Sequence, residues 1–288
     1  MSKGGKLTVF TSGDHVRSVP EKYHLSLDPC NQEEADTRIF LHIADAAQVH
    51  KTFLIRTNDT DVLVLAIAFA SKMNLQIFVS FGKLCYDALD IATKLGSDRC
   101  RAFMLFHAFT GSDTTSFFRS KGKKICWAAW EQFHELTPIF IKLTESETSP
   151  TESDLRTLER FVCILYDKNS DISKVNDLRQ HLFASRMRLV ENIPPTERAL
   201  KYHLLRSLLA ARTWYRIDLK QVEDLDPAEY GWEMKDGTWK PKWTDLPPIG
   251  KSRIFIQCSC KTCTEGRCSC KKEDLPCYIG CSCQGRCE

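Results

Sequence analysis

A short apolar run followed directly by acids, Phe53-Leu54-Ile55-Arg56-Thr57-Asn58-Asp59-Thr60-Asp61, decides the fold that the sequence predicts. The apolar part has the length and composition of a short buried strand, and Val62 begins another regular element. Two further acidic clusters lie at similar boundaries. Glu34-Ala35-Asp36 precedes a segment with helical apolar spacing, and Gly111-Ser112-Asp113 ends the apolar stretch 103–109. Each cluster therefore lies where one element ends or another begins.

Strand and helix patterns alternate along this region. Leu75-Gln76-Ile77-Phe78-Val79 has the period of a strand, and the segment from Tyr86 to Leu95 predicts a helix that Gly96 ends. Such alternation favours an α/β fold with a mainly parallel sheet flanked by helices.

The acids can be interpreted in two ways. In open α/β sheets, sites collect beyond the carboxyl ends of the strands, so acids from distant parts of the chain can converge there. Carboxylates crowded together repel each other unless a cation lies among them, and Mg²⁺ or Mn²⁺ prefers such oxygen ligands. The alternative is that each cluster only caps a helix. We expect convergence in one cleft of Glu34, Asp36, Asp59, Asp61 and Asp113.

In order and context, the three clusters resemble the acidic motifs of the flap-endonuclease and PIN-like nuclease superfamily. The resemblance covers residues 5–135 and implies a two-metal site in which the five acids hold Mg²⁺ or Mn²⁺ and hydrolyse a phosphodiester. It also implies that a Gly-containing hairpin grips a DNA backbone through Lys121, Lys123 and Lys124. The family takes a further aspartate from its first strand, and the sequence has no matching strand, so we expect this domain to be incomplete at its N-terminus.

Composition divides the chain into three expected domains. Residues 1–145 form the PIN-like domain, 146–250 form a helical and Trp/Pro-rich connecting region, and 251–288 form a cysteine-rich module. A polar, acidic segment around 144–152 marks the first boundary.

The cysteines are distributed very unevenly, because nine of the fourteen fall in the last thirty-one residues. In a reducing compartment such a cluster binds metal rather than forming disulfides, and an odd number cannot form a closed disulfide set. Zinc prefers four thiolates, so nine cysteines can hold about three zinc ions if three thiolates each bridge two metals. The predicted ligands are Cys258, Cys260, Cys263, Cys268, Cys270, Cys277, Cys281, Cys283 and Cys287.

The paired Cys-x-Cys units and the lysines after the second pair resemble the CXC domain of tesmin/TSO1-like chromatin proteins, over residues 254–288. The resemblance implies a small three-zinc cluster that binds DNA. The alternative is a purely structural zinc knot or a partner-binding module. The basic residues that we expect to contact DNA here are Lys261, Arg267, Lys271 and Lys272.

Other properties limit the class of protein. In the 288 residues, 43% are hydrophobic, which supplies a real core, and the net charge of +3 does not by itself indicate a polyanion partner. No signal-peptide pattern or membrane-length apolar run is present, so we expect a nuclear or otherwise intracellular protein without a membrane partner. The combination of domains resembles transposon-derived animal proteins. Two hypotheses follow: a DNA-binding, metal-dependent nuclease targeted by the CXC module, or a non-catalytic DNA-binding or chromatin protein with a nuclease-like scaffold.

Overall fold

The computed structural model describes residues 7–19, 27–32, 34–146, 148–184, 192–220, 224–244, 256–263, 267–273, 275–277 and 281–286. The chain forms two compact units that interleave in sequence. The first contains Met1–Ala108, Phe140–Glu147 and Leu208–Asp226, and the second contains Phe109–Ile139, Thr148–Ser207 and Pro227–Glu288. The expected domain boundaries after residues 145 and 250 are boundaries of composition and stay a prediction.

The described residues confirm an α/β fold that is rich in helix and has small sheets. In chain order the regular elements are β1 (Thr8–Ser12), β2 (His15–Val19), α1 (Ala35–Ala46), β3 (Thr52–Arg56), α2 (Thr60–Met73), β4 (Gln76–Phe81), β5 (Leu84–Asp87), α3 (Ala88–Leu95), α4 (Ser97–Phe109), α5 (Lys123–Gln132), α6 (Leu136–Glu145), α7 (Glu152–Tyr166), α8 (Val175–Ala184), α9 (Glu197–Tyr215), β6 (Trp232–Lys235), β7 (Thr238–Pro241) and α10 (Ser269–Lys272). A short 3₁₀ turn, Pro227–Tyr230, precedes β6.

The principal sheet of the first unit has the order β3-β4-β5 and is mixed. β3 pairs with β4 in parallel, whereas β4 pairs with β5 in antiparallel register. A mainly parallel sheet is therefore not confirmed. The prediction that the helix starts at Tyr86 was wrong, because Tyr86 pairs with Val79 in the antiparallel hairpin. Gly82, at φ +62, supplies the turn that brings β5 back onto β4.

The core of the first unit lies around α2, in which residues 62 and 64–70 are buried. A helix buried on nearly every side must be apolar all round, as this one is. Phe69 packs against Phe40 of α1 with ring centroids 5.3 Å apart, and Ile77 and Val79 of β4 are fully buried. The strand β3 is less buried than expected, because only Ile55 is enclosed and Leu54 is 57% exposed.

The second unit has a helical core. The largest enclosed side chain is Trp130 of α5, whose indole Nε1 donates to Thr137 Oγ1 at 3.0 Å. Phe161 of α7 and Leu178 of α8 are also fully buried. The helices α4, α6 and α9 contribute residues to both units. Among the described helices, none is both long enough and apolar enough to cross a membrane.

Candidate functional site

The described part of the cysteine module (residues 251–288) is packed around sulfur rather than hydrocarbon. Five thiols are buried together in it, with Ile256 and Leu275 as the partly buried aliphatic side chains at their edge. Backbone hydrogen bonds close the segment, including one from Ser282 N to Cys258 O at 2.9 Å. A segment with so few apolar groups has little hydrophobic free energy with which to fold. The thiols therefore form its core.

Eight of the nine predicted ligands come together, and the ninth, Cys287, lies outside the described residues. Their sulfur atoms form three overlapping groups of four, and within each group the atoms lie within 4.8 Å of one another. The groups are Cys258, Cys263, Cys277 and Cys283; Cys258, Cys270, Cys277 and Cys281; and Cys258, Cys260, Cys263 and Cys268. The cysteine spacing thus predicted the clustering correctly.

The sulfur separations fit metal ligands and not disulfides. Sγ–Sγ distances are 3.5 Å for Cys258–Cys263, 3.4 Å for Cys263–Cys277 and 4.0 Å for Cys258–Cys283. A disulfide bond is about 2.05 Å long. A tetrahedral zinc with Zn–S bonds of about 2.3 Å places its sulfurs about 3.8 Å apart. The cluster can therefore hold zinc with small adjustments of its side chains, and none of the described cysteines forms a disulfide.

The thiols differ in acidity. Burial raises the pKa of Cys258 to about 11 and that of Cys270 to about 12. The opposite shift occurs at Cys268, where a hydrogen bond from the Lys271 backbone N–H lowers the pKa to about 6. A metal binds thiolates, so ion binding must displace the protons of the buried thiols and becomes weaker in acid.

The basic residues predicted to contact DNA in this module lie near its surface. Lys261, Arg267 and Lys272 are exposed, whereas Lys271 is half-buried in α10. The five cysteines outside the module are Cys30, Cys85, Cys100, Cys126 and Cys163, and none of them joins a described sulfur group.

The second acidic cluster lies where it was expected, at the end of β3 and the start of α2. Asp59 is the N-cap of α2, and its Oδ1 accepts a hydrogen bond from Asp61 N at 2.8 Å. Asp61 Oδ1 is 2.8 Å from Nε2 of His107, a histidine on α4 whose side chain is 6% exposed. The ring of Trp214 lies 5.8 Å from the His107 ring, centroid to centroid. Asp59 therefore caps α2, and Asp61 forms a part-buried contact with His107.

His107 was missed by the sequence analysis. Its signal was weak, since it is a single polar residue within the apolar stretch Phe103–Phe109. A lone histidine in such a stretch does not identify its partner, which lies forty-six residues earlier in the chain.

The remaining predicted acids lie at the start of α1 and after α4. Glu34 is the N-cap residue of α1 without a side-chain capping bond, and Asp36 lies in the first turn. Asp113 is exposed and belongs to the second unit. We considered groups of three or more His, Cys, Asp or Glu residues whose ligand atoms all lie within 4.8 Å of one another. In the described part of the chain, every such group consists of cysteines. Convergence of the five acids stays a prediction.

The predicted DNA-gripping hairpin is a loop that ends at Gly122, the N-cap of α5. Lys123 Nζ donates to Thr110 Oγ1 at 3.2 Å and to Gly111 O at 2.5 Å. Lys121 Nζ lies 5.1 Å from the centre of the Tyr166 ring, and Lys124 is exposed. Lys123 therefore holds the loop, Lys121 lies against Tyr166, and Lys124 is exposed in the first turn of α5.

Comparison of the chain with protein-family models, with curated proteins and with solved structures gave no match.

Proposed function

We propose that this chain is a DNA-binding protein that contacts the duplex through a zinc-bound cysteine module. The observation that carries the proposal is the set of three overlapping four-sulfur groups. The spacing of the cysteines and of the basic residues, which resembles that of CXC domains in chromatin proteins, supports the same function. A nuclear location follows from this proposal.

The pattern of shared sulfurs supports about three zinc ions. Cys263 and Cys277 each belong to two groups, and Cys258 belongs to all three. A bridging thiolate usually joins two metals, so Cys258 can be a ligand of only two of the three ions. The third ion then needs another thiolate. The count of nine cysteines assigns that place to Cys287. The module then has six terminal and three shared thiolates.

Zinc would supply the folding free energy of the module, which is about 10–16 kcal/mol per structural ion in small zinc peptides. Three zinc ions and nine thiolates leave a core charge of about −3, so the surrounding lysines and arginines must provide the attraction for phosphate. Arg267 and Lys272 are exposed and can reach a phosphate backbone without disturbing the sulfur cluster.

We predict that the double substitution Arg267→Glu and Lys272→Glu weakens duplex binding by about tenfold or more. The slope of log affinity against log salt concentration should become shallower by the equivalent of about two phosphate contacts. The measurement is the anisotropy of a labelled duplex at several salt concentrations, with the zinc content of each protein determined in parallel.

The matched control is Lys83→Glu with Lys201→Glu, which makes the same change of net charge at two exposed lysines outside the module. Equal weakening by the control would show that only net charge matters. Unchanged duplex affinity of the zinc-loaded double variant would overturn the proposed interface and leave the module as a structural or partner-binding knot.

A second function, metal-dependent phosphodiester hydrolysis, is favoured by the position of Asp59 and Asp61 at the carboxyl end of β3. Carboxylate oxygens suit Mg²⁺ or Mn²⁺, which would supply charge for activating water and stabilising the leaving oxygen. The chain's own contribution is to fix both residues: Asp59 by capping α2, and Asp61 through His107. Glu34, Asp36 and Asp113 complete the proposed ligand set.

The nuclease proposal predicts weak cleavage of branched or single-stranded DNA with Mn²⁺, abolished by Asp59→Asn and by Asp61→Asn. Asparagine is as good an N-cap as aspartate, so the first change removes ligand charge while it keeps the helix start. Asp87→Asn is the matched control, because Asp87 caps α3 in the same way, accepting from Asp90 N at 3.1 Å. Absence of Mn²⁺-dependent cleavage in a protein that still binds DNA would favour the non-catalytic scaffold.

A further inference from the structure

The second unit contains a basic, aromatic cleft whose lining residues include neither the cysteine module nor the predicted acids. Its volume is about 250 Å³, and its walls come from 116–119, the end of α7, 193–206 and 242–244. None of its lining residues, all of them in the described part of the chain, is acidic. Five aromatic side chains line this basic–aromatic cleft: Phe117, Phe118, Tyr166, Tyr202 and Trp243.

The cleft concentrates positive charge without acidic partners. Arg119, Arg206 and Lys242 line it, and Lys121 Nζ lies over the Tyr166 ring. Within the described ranges, no carboxylate forms an ion pair with any of these four cations. By contrast, Arg101 of the first unit binds Glu145 through two contacts of 2.7 and 2.6 Å. Clustered cations repel each other, so this arrangement favours an anionic ligand.

Arg206 is the most enclosed of these four cations, because it is 8% exposed. Its Nη1 donates to the backbone oxygens of Gly231 at 3.2 Å and Lys242 at 3.4 Å, and its Cζ lies 6.0 Å from the Trp243 ring centre. Removing a guanidinium from water without a carboxylate is costly, and neutral carbonyls offset only part of that cost. A phosphate at the cleft would supply the opposite charge.

Two of the aromatic residues that line the cleft are largely exposed to solvent. Phe117 is 73% exposed and Trp243 is 70% exposed. Phe117 owes its position partly to Gly111, which has φ +111 and whose added Cβ would lie 2.7 Å from the Phe117 Cβ. Lys242 N donates to Gly231 O at 2.9 Å and fixes the backbone next to Trp243. The backbone at or beside each ring is therefore fixed, and the rings remain available for stacking.

We infer that this cleft binds single-stranded nucleic acid, with bases stacked on Phe117 and Trp243 and phosphates near Arg119, Lys121 and Lys242. Open aromatic faces beside cations are the arrangement by which proteins hold single strands, because every base has a face to stack. A duplex keeps those faces inside its own stack, and an acidic peptide supplies charge without a planar ring to match. The inference does not depend on zinc or on the cysteine module.

The test uses the full zinc-loaded chain and two fluorescent probes, oligothymidylate and oligouridylate of roughly twelve nucleotides. Phe117→Ala and Trp243→Ala are each expected to weaken binding by about tenfold or more, the loss typical of one base–aromatic stack. Arg119→Glu is expected to weaken it further and to reduce the salt dependence. Trp239→Ala, at an exposed tryptophan outside the cleft, and Arg156→Glu, at an exposed arginine paired with Glu152, are the matched controls and should have little effect.

Photo-crosslinking separates this cleft from the cysteine module. A 5-iodouracil-containing strand, crosslinked to the protein and mapped by mass spectrometry, is expected to label the peptides of Phe117 and Trp243. Labelling of both by either the DNA or the RNA probe supports the inference. Crosslinks confined to 256–286, equal losses in the controls, or a duplex that binds the cleft as tightly as the single strand would overturn it. Circular dichroism of each variant verifies folding.

Discussion

Substitution of Cys258 by serine is expected to remove more zinc than the same substitution at any cysteine that belongs to one sulfur group. Cys258 occurs in all three groups, Cys263 and Cys277 in two, and Cys260 in one. In the proposed zinc-bound module, losing a shared thiolate removes a ligand from more than one ion at once, and those ions would supply the folding free energy of the module. We expect Cys258→Ser to leave about one zinc per chain and Cys260→Ser to leave about two.

The measurement is zinc content by native mass spectrometry, together with the thermal stability of each variant. Cys85→Ser is the matched control, because Cys85 is an exposed free thiol on β5 and belongs to no described sulfur group. The expected order of zinc loss places the three shared cysteines, Cys258, Cys263 and Cys277, ahead of Cys260. Equal retention of zinc by the Cys258 and Cys85 variants would contradict the shared-ligand geometry.

The second large effect is expected from acid, through a buried histidine of the second unit. His203 Nε2 must donate to Phe109 O, 2.8 Å away, because a carbonyl only accepts. In the neutral ring Nδ1 then accepts from Ser116 Oγ at 3.2 Å. The rings of Phe109 and Phe118 lie 5.1 and 5.2 Å from the His203 ring. Burial in this apolar site, reinforced by the nearby Arg206 charge, lowers the pKa of His203 to about 4.

The direction of the pH effect follows from proton binding. Between pH 6.5, the ordinary pKa, and pH 4 the unfolded state binds a proton at His203 and the folded state does not. The free energy of unfolding therefore falls as the pH falls through this range, and the full contribution of the neutral histidine is present above pH 6.5. The loss expected from a shift of this size is about 3 kcal/mol.

Urea unfolding of the chain at several pH values, with zinc removed by a chelator throughout, measures this effect without the acid lability of the thiolates. His203→Gln should unfold at lower urea overall, but its stability should change little between pH 6.5 and 4 compared with the parent. His134→Gln, at an exposed histidine of the same unit, should keep the parent's pH dependence. If His203→Gln loses stability in acid as steeply as the parent does, another group is responsible.

Local sequence patterns predicted those elements whose stability is decided locally. The apolar spacing after Asp36 matches α1, and the alternating residues before Ser80 match β4. The predicted start of the helix at Tyr86 was wrong. Tyr86 has a helix-compatible sequence context, but the turn at Gly82 places it in an antiparallel strand that pairs with β4. Strand pairing depends on residues outside the window that the pattern examines.

The cysteines were predictable for a different reason. The cysteines are separated by so few residues that their thiols must lie near one another. Eight of the nine predicted ligands lie together in the described structure. Which sulfurs are shared could not be predicted, because that depends on how distant turns meet. Cys258 approaches Cys277 at 3.6 Å across nineteen positions of sequence.

The contacts of Asp61 and the composition of the basic–aromatic cleft also depend on tertiary structure. Asp61 and His107 come from different helices, and neither sequence position indicates the other. Likewise, Phe117, Tyr202 and Trp243 lie far apart in sequence and line one cleft. Their proximity is created by packing of the helices and by the hydrogen bonds of Arg206 to backbone oxygens. Such sites carry no spacing signal.

The zinc content and the intact mass of the unmodified chain test the central claim most directly. Native mass spectrometry of protein purified under reducing conditions with zinc should show about three zinc ions per chain, and denaturing spectra should show all cysteines as free thiols. A chain that holds one zinc or none, or whose mass is reduced by disulfide formation within the cysteine module, would contradict the proposal that the three overlapping sulfur groups bind three zinc ions.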